Sequence, residues 1–198
     1  MQHNVTYQPL TAADFAAVIR LGNQVHGDNY LTPENLTEYQ RRAQSGDVNL
    51  NWLAFVDGQL AGIRLTFAPG TWPVDGDCSP EKWPFEAQQL CYFKCSAVDA
   101  RYRGLGIGKG LLLRSIDSAK QLGCLGGLAH IWLQSPGNSA YEYFSRCGGV
   151  MINEHANRWY DLSISDGYHC PVCDGVCYCS AGEMLLSFDN VPEQSDDD

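Results

Sequence analysis

The alternation of apolar and polar residues predicts its first strand at Val5 to Gln8. Thr11, with Asp14 three residues on, then supplies a helix start whose side chains serve free backbone amides. Phe15, Val18, Ile19 and Val25 recur at helical spacing and carry that helix to about His26. Thr32-Pro33-Glu34 opens a second helix, the proline taking a first-turn position where its missing N–H is no loss, and this helix should end near Ser45-Gly46. Two runs, Trp52 to Val56 and Leu60 to Phe67, flank Asp57-Gly58 and read as an antiparallel hairpin. Residues 69–86 hold four prolines and no period, so they form a long loop suited to folding over a site. A strand Leu90 to Val98 follows, then a helix from about Gly108 to Leu122 and a strand His130 to Gln134 broken at Ser135-Pro136-Gly137. Asn138 or Ser139 caps one more helix, to about Cys147, and Val150 to Glu154, Arg158 to Leu162 and Met184 to Phe188 read as strands. The order predicts an α/β fold with a mixed, mostly antiparallel central sheet and helices on both faces.

Composition narrows the setting. At 198 residues the chain is one domain in size, able to bury roughly 70% of its unfolded surface without a disulfide. A net charge of -10 opposes general binding to nucleic acid or anionic membrane and suits a cationic amine acceptor. No basic leader and no apolar run of the roughly 20 residues that span a bilayer is present, so the expected compartment is the cytoplasm, with a homodimer left open. We expect residues 1–165 to form the main domain and 166–190 a cysteine-rich insertion with a final strand on the same domain. The acidic stretch 191–198 is expected to be a disordered tail.

The chemistry concentrates at Arg103-Gly104-Leu105-Gly106-Ile107-Gly108-Lys109, between a strand and an amphipathic helix. Helix N-terminal amides point outward unsatisfied and carry partial positive charge, so a pyrophosphate can accept from several at once. Arg101, Arg103 and Lys109 add local positive charge. The bland alternative is a turn that merely packs a strand against a helix. A P-loop is excluded by Gly110 standing where a magnesium-binding hydroxyl belongs, and a dinucleotide fold by the position of the glycines in the chain.

Set in the frame Val98-Asp99-x-x-Tyr102-Arg103-Gly104-x-Gly106-Ile107-Gly108, this turn closely resembles the signature Arg/Gln-x-x-Gly-x-Gly/Ala of the GCN5-related N-acetyltransferase (GNAT) family. The resemblance spans roughly residues 3–165 and implies acetyl transfer from acetyl-CoA to a primary amine. It further implies that amides of Arg103, Gly104, Leu105, Gly106, Ile107, Gly108 and Lys109 hold the pyrophosphate, while the backbone of Ser96, Ala97 and Val98 pairs with the pantetheine arm. Val98 would also donate to the thioester oxygen.

The family's second signature, Asn-x-x-Ala-x-x-Leu-Tyr-x-x-x-Gly-Phe, is altered here to Asn138-Ser139-Ala140-Tyr141-Glu142-Tyr143-Phe144-Ser145-Arg146-Cys147-Gly148-Gly149. The tyrosine that commonly protonates the leaving thiolate aligns with Phe144, which has no proton to give. Tyr141, on nearly the same helix face, is the preferred acid over Tyr143, against the alternative that all three aromatics are packing. Asn138 contacts the coenzyme or caps the helix. For the base, Glu86 stands first, with Glu154, His155 and His130 as alternatives, and direct attack ordered by proximity also stands. The acceptor cleft is expected among residues 21–45 and 69–86, with Asp28, Glu34, Glu86 and Glu154 giving it negative character.

Nine cysteines include Cys170, Cys173, Cys177 and Cys179, a Cys-x2-Cys-x3-Cys-x-Cys spacing that offers a closed tetrahedral shell for a structural zinc. Reduced thiols without metal and a redox or iron–sulfur role are the rivals. Cys91 and Cys95 share one strand face by parity. Two further functional readings remain: a non-catalytic acyl-CoA-binding module and a metal sensor.

Overall fold

The structure, a computed structural model, describes residues 3–191; the expected tail beyond Val191 lies outside the described residues. Seven strands form one sheet: β1 (Val5–Pro9), β4 (Trp52–Val56), β5 (Gln59–Phe67), β6 (Leu90–Val98), β7 (Gly126–Trp132), β8 (Val150–His155) and β9 (Ala181–Ser187). Their order is β1-β4-β5-β6-β7-β9-β8, antiparallel throughout except for the β6–β7 pair. The short strands β2 (Gln44–Ser45) and β3 (Val48–Asn49) make a separate hairpin where the second helix was expected to run on. Helices α1 (Phe15–His26) and α2 (Pro33–Ala43) cover one face; α3 (Ile107–Gln121) and α4 (Ser139–Arg146) cover the other. Their starts follow from local chemistry. Thr11 and Asp14 close on each other at 2.7 Å before α1, and the Thr32 hydroxyl accepts from the Asn35 amide at 3.3 Å, with Pro33 at the first turn of α2.

Three sequence expectations need correction. The segment Arg158 to Leu162 is not a strand: helix α5 (Tyr160–Ser165) begins inside it. Trp159 and Leu162, three residues apart, thereby present one apolar face to the cysteine cluster. Strand β7 begins at Gly126, four residues before His130, because Gly126 and Gly127, poor strand formers by themselves, lie where a side chain would strike Leu90 and Phe93. Cys91 and Cys95 do not share a face. A bulge at Lys94 shifts the register from Thr66↔Phe93 to Leu65↔Cys95, so Cys91 packs beneath α3 and α4 while Cys95 packs beneath α1 and α2.

The long loop 69–86 is anchored, not free. Trp72 and Trp83 are buried with Phe67, Leu90, Leu128 and Leu185, and the fully buried Glu183 of β9 accepts from the Ser79 amide at 2.9 Å and from Trp83 Nε1 at 2.7 Å. Those bonds satisfy a carboxylate that would otherwise be costly in the core.

Candidate active site

Gly104 and Gly106 adopt left-handed backbone angles, φ +84° and +72°, which L side chains rarely accept. Gly106 is the N-cap of α3 and has no side chain to close the helix end; the first intrahelical bond runs from the Gly110 amide to the Gly106 carbonyl at 3.0 Å. The amides ahead of Gly110 are therefore free to serve an anion. They border a cleft of about 620 Å³ whose wall includes Val98, Arg103, Gly108, Lys109, Tyr143 and Cys147. The chain enters the turn rigidly: buried Asp99 accepts from the Arg101 amide at 2.9 Å and its guanidinium at 2.7 Å, and this pairing holds the Asp99 carboxyl below its usual range. Arg101 is thus already paired, and the cations on the cleft wall are Arg103, Lys109 and Arg146, the last of which lies 3.4 Å from Glu142.

Beside the cleft the sheet splits. Strands β6 and β7 pair only from Leu90↔Gly126 to Tyr92↔Leu128, then diverge. The Asp99 amide donates to Ala61 on β5 at 2.9 Å, so alternation along an extended strand turns Ala97 toward β5 and aims the amides and carbonyls of Ser96 and Val98 at the free edge. From the opposite face, His26 Nε2 donates to the Ser96 carbonyl at 3.2 Å. Burial holds the His26 imidazole neutral, with its pKa lowered to about 4. A second pair stands where the strands part. Tyr92 Oη and His130 Nδ1 are 2.9 Å apart, while His130 Nε2 lies against the Asp77 carbonyl. A carbonyl only accepts, so Nε2 carries the proton and Nδ1 accepts from Tyr92. Burial lowers the pKa of His130 and raises that of Tyr92.

The sequence model of the GNAT acetyltransferase family matches residues 18–149. The chain belongs to the GNAT acetyltransferase family. Solved structures share its fold at low identity. The ribosomal-protein-S18-alanine N-acetyltransferase of Escherichia coli superposes with a TM-score of 0.65 at 17% identity, over 96% of this chain and 98% of its own. YncA, a putative acetyltransferase from Salmonella typhimurium solved with acetyl-CoA, gives 0.64 at 18%, over 98% of both chains. Arabidopsis thaliana Naa50, in complex with the bisubstrate analogue CoA-Ac-MVNAL, gives 0.61 at 18%, over 93% of this chain and 99% of its own. No curated protein sequence matches the chain significantly.

Within this acyl-CoA-dependent N-acyltransferase the anticipated residues fall into three groups. Arg103, Gly104, Gly106, Ile107, Gly108, Lys109 and Val98 line the cleft. Tyr143 lines it as well and donates to the Gly108 carbonyl at 2.7 Å. Tyr141, by contrast, packs against the core cluster containing Phe144, and Asn138 takes a left-handed conformation with no side-chain cap bond. Neither is on the cleft wall, and Ser135 Oγ serves the Ala140 amide at 3.1 Å in place of an Asn138 cap. Phe144 is buried and meets Phe93 edge-on. Glu86 is exposed at the far end of β6 from the glycine turn, and its amide donates to Gln89. Asp28, Glu34 and Glu154 are also solvated. Tyr92 was not anticipated: no spacing links it to His130, which lies 38 residues on.

The four clustered cysteines converge, with all sulfurs within 4.8 Å of one another and the Cys173–Cys179 and Cys170–Cys179 pairs at 3.6 and 3.9 Å. His169 stands apart, exposed beside Asp174. The cluster leans on the turn after α1: Tyr168 Oη donates to the His26 carbonyl at 3.1 Å, the His169 amide to Asp28, and Asn29 to the Gly167 carbonyl. Among the described residues no helix is long and apolar enough to cross a membrane.

Proposed function

We propose that this acetyltransferase carries an acetyl group from acetyl-CoA to a primary amine of a small molecule or a protein, one that arrives as a cationic ammonium. One observation carries the reading: the sheet opens between β6 and β7 directly beside a cleft walled by free helix amides, with a neutral histidine and a phenol at the opening. The relatives named for an alanine acceptor and for a CoA–peptide analogue support an amine acceptor.

In this mechanism the amides from Arg103 to Lys109, with the Arg103 and Lys109 cations, hold the pyrophosphate. Free-edge groups of Ser96 and Val98 align the pantetheine, and the Val98 amide donates to the thioester oxygen as charge develops on it. The ammonium passes its proton to the phenolic oxygen of Tyr92, whose own proton moves to His130 Nδ1, and the free amine attacks. For the acid we favour Tyr143 over Tyr141, because Tyr143 is the one on the cleft wall and burial keeps its phenol protonated.

Cys170, Cys173, Cys177 and Cys179 fit a zinc ion: four thiolates and no other donor make a closed shell, which supplies structure and not chemistry. Their contacts with residues 26–29 make the metal a brace for the acceptor side. We further propose one domain in which 166–190 is integral, since β9 lies between β7 and β8. The test follows free thiol and acetylated product from acetyl-CoA with a panel of amines. Thiol release tied to amide formation is expected; tight coenzyme binding with no product from any amine would instead favour a binding module.

A further inference from the structure

Arg64 of β5 is 2% exposed, yet among the described residues no carboxylate is paired with it and its Nε has no hydrogen-bond partner. Among the described residues the other buried charges, Asp99 and Glu183, are matched; Glu183, for example, has three donors. A buried guanidinium keeps its charge, and taking it out of water without an anion is strongly unfavourable. Its position shows what the anion would be. Arg64 stands opposite Ser96 in the β5–β6 register, and its guanidinium reaches over the Phe93 ring, 4.4 Å from the centroid. Phe93 is the first residue past the last β6–β7 pair and packs in the cluster beneath α3 and α4, so the charge lies where the strand pairing ends, on the coenzyme face. It also bears on Tyr143 and Cys147 of the cleft wall, offsetting part of the rise that burial imposes on both. Phe144, at the place of the usual thiolate-protonating tyrosine, packs edge-on against Phe93 and supplies no proton.

We propose that Arg64 is a catalytic residue that holds the sulfur of coenzyme A as it departs. The inference rests on the acetyl-transfer reading above. The amine, which has given its first proton to the Tyr92–His130 pair, bonds through nitrogen to the carbonyl carbon, and the second proton leaves the nitrogen for water as the intermediate collapses. When the tetrahedral intermediate collapses the C–S bond breaks, its electron pair stays on sulfur, and the thiolate leaves paired with Arg64. Arg64 remains protonated throughout; Tyr143 then gives its proton to the thiolate and regains one from solvent. The ion pair thereby carries the charge on sulfur until that proton arrives.

The test is a pH titration of protein-bound coenzyme A, read as ultraviolet thiolate absorbance against the complex with desulfo-CoA. Wild type, Arg64→Met and Arg64→Lys are compared, each checked for native circular dichroism. Methionine is a fair replacement because exchanging a buried charge for an apolar chain is often neutral for folding. Wild type and Arg64→Lys should show the bound thiol ionising below free coenzyme A, and Arg64→Met should lose that shift. Arg64→Met should also lower kcat by about 100-fold with little change in acetyl-CoA affinity. A bound thiol that titrates alike in wild type and Arg64→Met overturns the proposal, as does a preference for succinyl-CoA over acetyl-CoA that depends on Arg64, which would give the charge to an acyl carboxylate. The titration needs no acceptor, so a protein that binds coenzyme A without transferring still reports on Arg64. Failure to bind coenzyme A at all overturns the coenzyme reading together with this one.

Discussion

The two faces of the β6–β7 opening are built on different principles. The coenzyme face is local: Val98 to Lys109 supplies the strand end, a paired Asp99, the left-handed glycines and the free amides within twelve consecutive residues. The acceptor face is assembled from distant pieces, with His26, Tyr92, Asp77, His130 and Glu183 brought together by α1, the anchored loop 69–86 and three strands. Its acids are already engaged, Asp75 and Asp77 by Arg158 and Glu183 by His155, and Lys94 at the bulge is set 5.7 and 5.4 Å from the ring centroids of Tyr30 and Tyr39. On the function proposed above, a local device recognises a constant group, the pyrophosphate. A composite surface is free to differ from one relative to the next, and here it is braced by the cysteine cluster.

If the faces are separable, mutations should part coenzyme binding from chemistry. The largest effect is expected for His130→Ala, which removes the proton acceptor: kcat should fall by roughly 100- to 10,000-fold with acetyl-CoA affinity unchanged, measured by steady-state kinetics and calorimetry. An unchanged kcat would leave attack to proximity alone. Arg103→Glu on the other face should do the reverse, weakening acetyl-CoA by about 100-fold while the melting temperature stays put.

A pH series sharpens the comparison. His26 is neutral in the fold with its pKa lowered to about 4, whereas the unfolded chain takes up a proton near pH 6.5. Between those values the unfolded state binds more protons, so stability is intact above pH 6.5 and declines as pH falls toward 4. The full loss is on the order of 3 kcal/mol. Denaturant unfolding of His26→Gln should show a flatter profile over that window; equal slopes would contradict the buried neutral imidazole. The smallest expected effect belongs to Cys173→Ser, which should abolish metal binding by elemental analysis and lower the melting temperature by roughly 5 °C. It should also raise the acceptor KM, with acetyl-CoA affinity unmoved. Loss of coenzyme affinity instead would place the brace on the wrong face.

The same division governs what the sequence discloses. The glycine turn, the capping residues Thr11 and Thr32 and the Cys-x2-Cys-x3-Cys-x-Cys spacing are short-range features, and each is legible because its partners are neighbours in the chain. Tyr92 and His130 meet only because β6 and β7 lie side by side, a pairing that no local signal encodes. Parity along β6 misleads once the bulge at Lys94 reverses the faces, which is why Cys91 and Cys95 part company. Arg64 sits in a mostly apolar run from Leu60 to Phe67, and only its surroundings in the fold make its lone charge conspicuous.

Hydrogen exchange with and without acetyl-CoA tests the central division most directly. Slowed exchange is predicted at the amides of Ser96, Val98 and Ile107 to Lys109, with little change in the segment Cys170 to Cys179. Protection concentrated in the loop 69–86 or the cysteine cluster, with the glycine turn unaffected, would contradict the account.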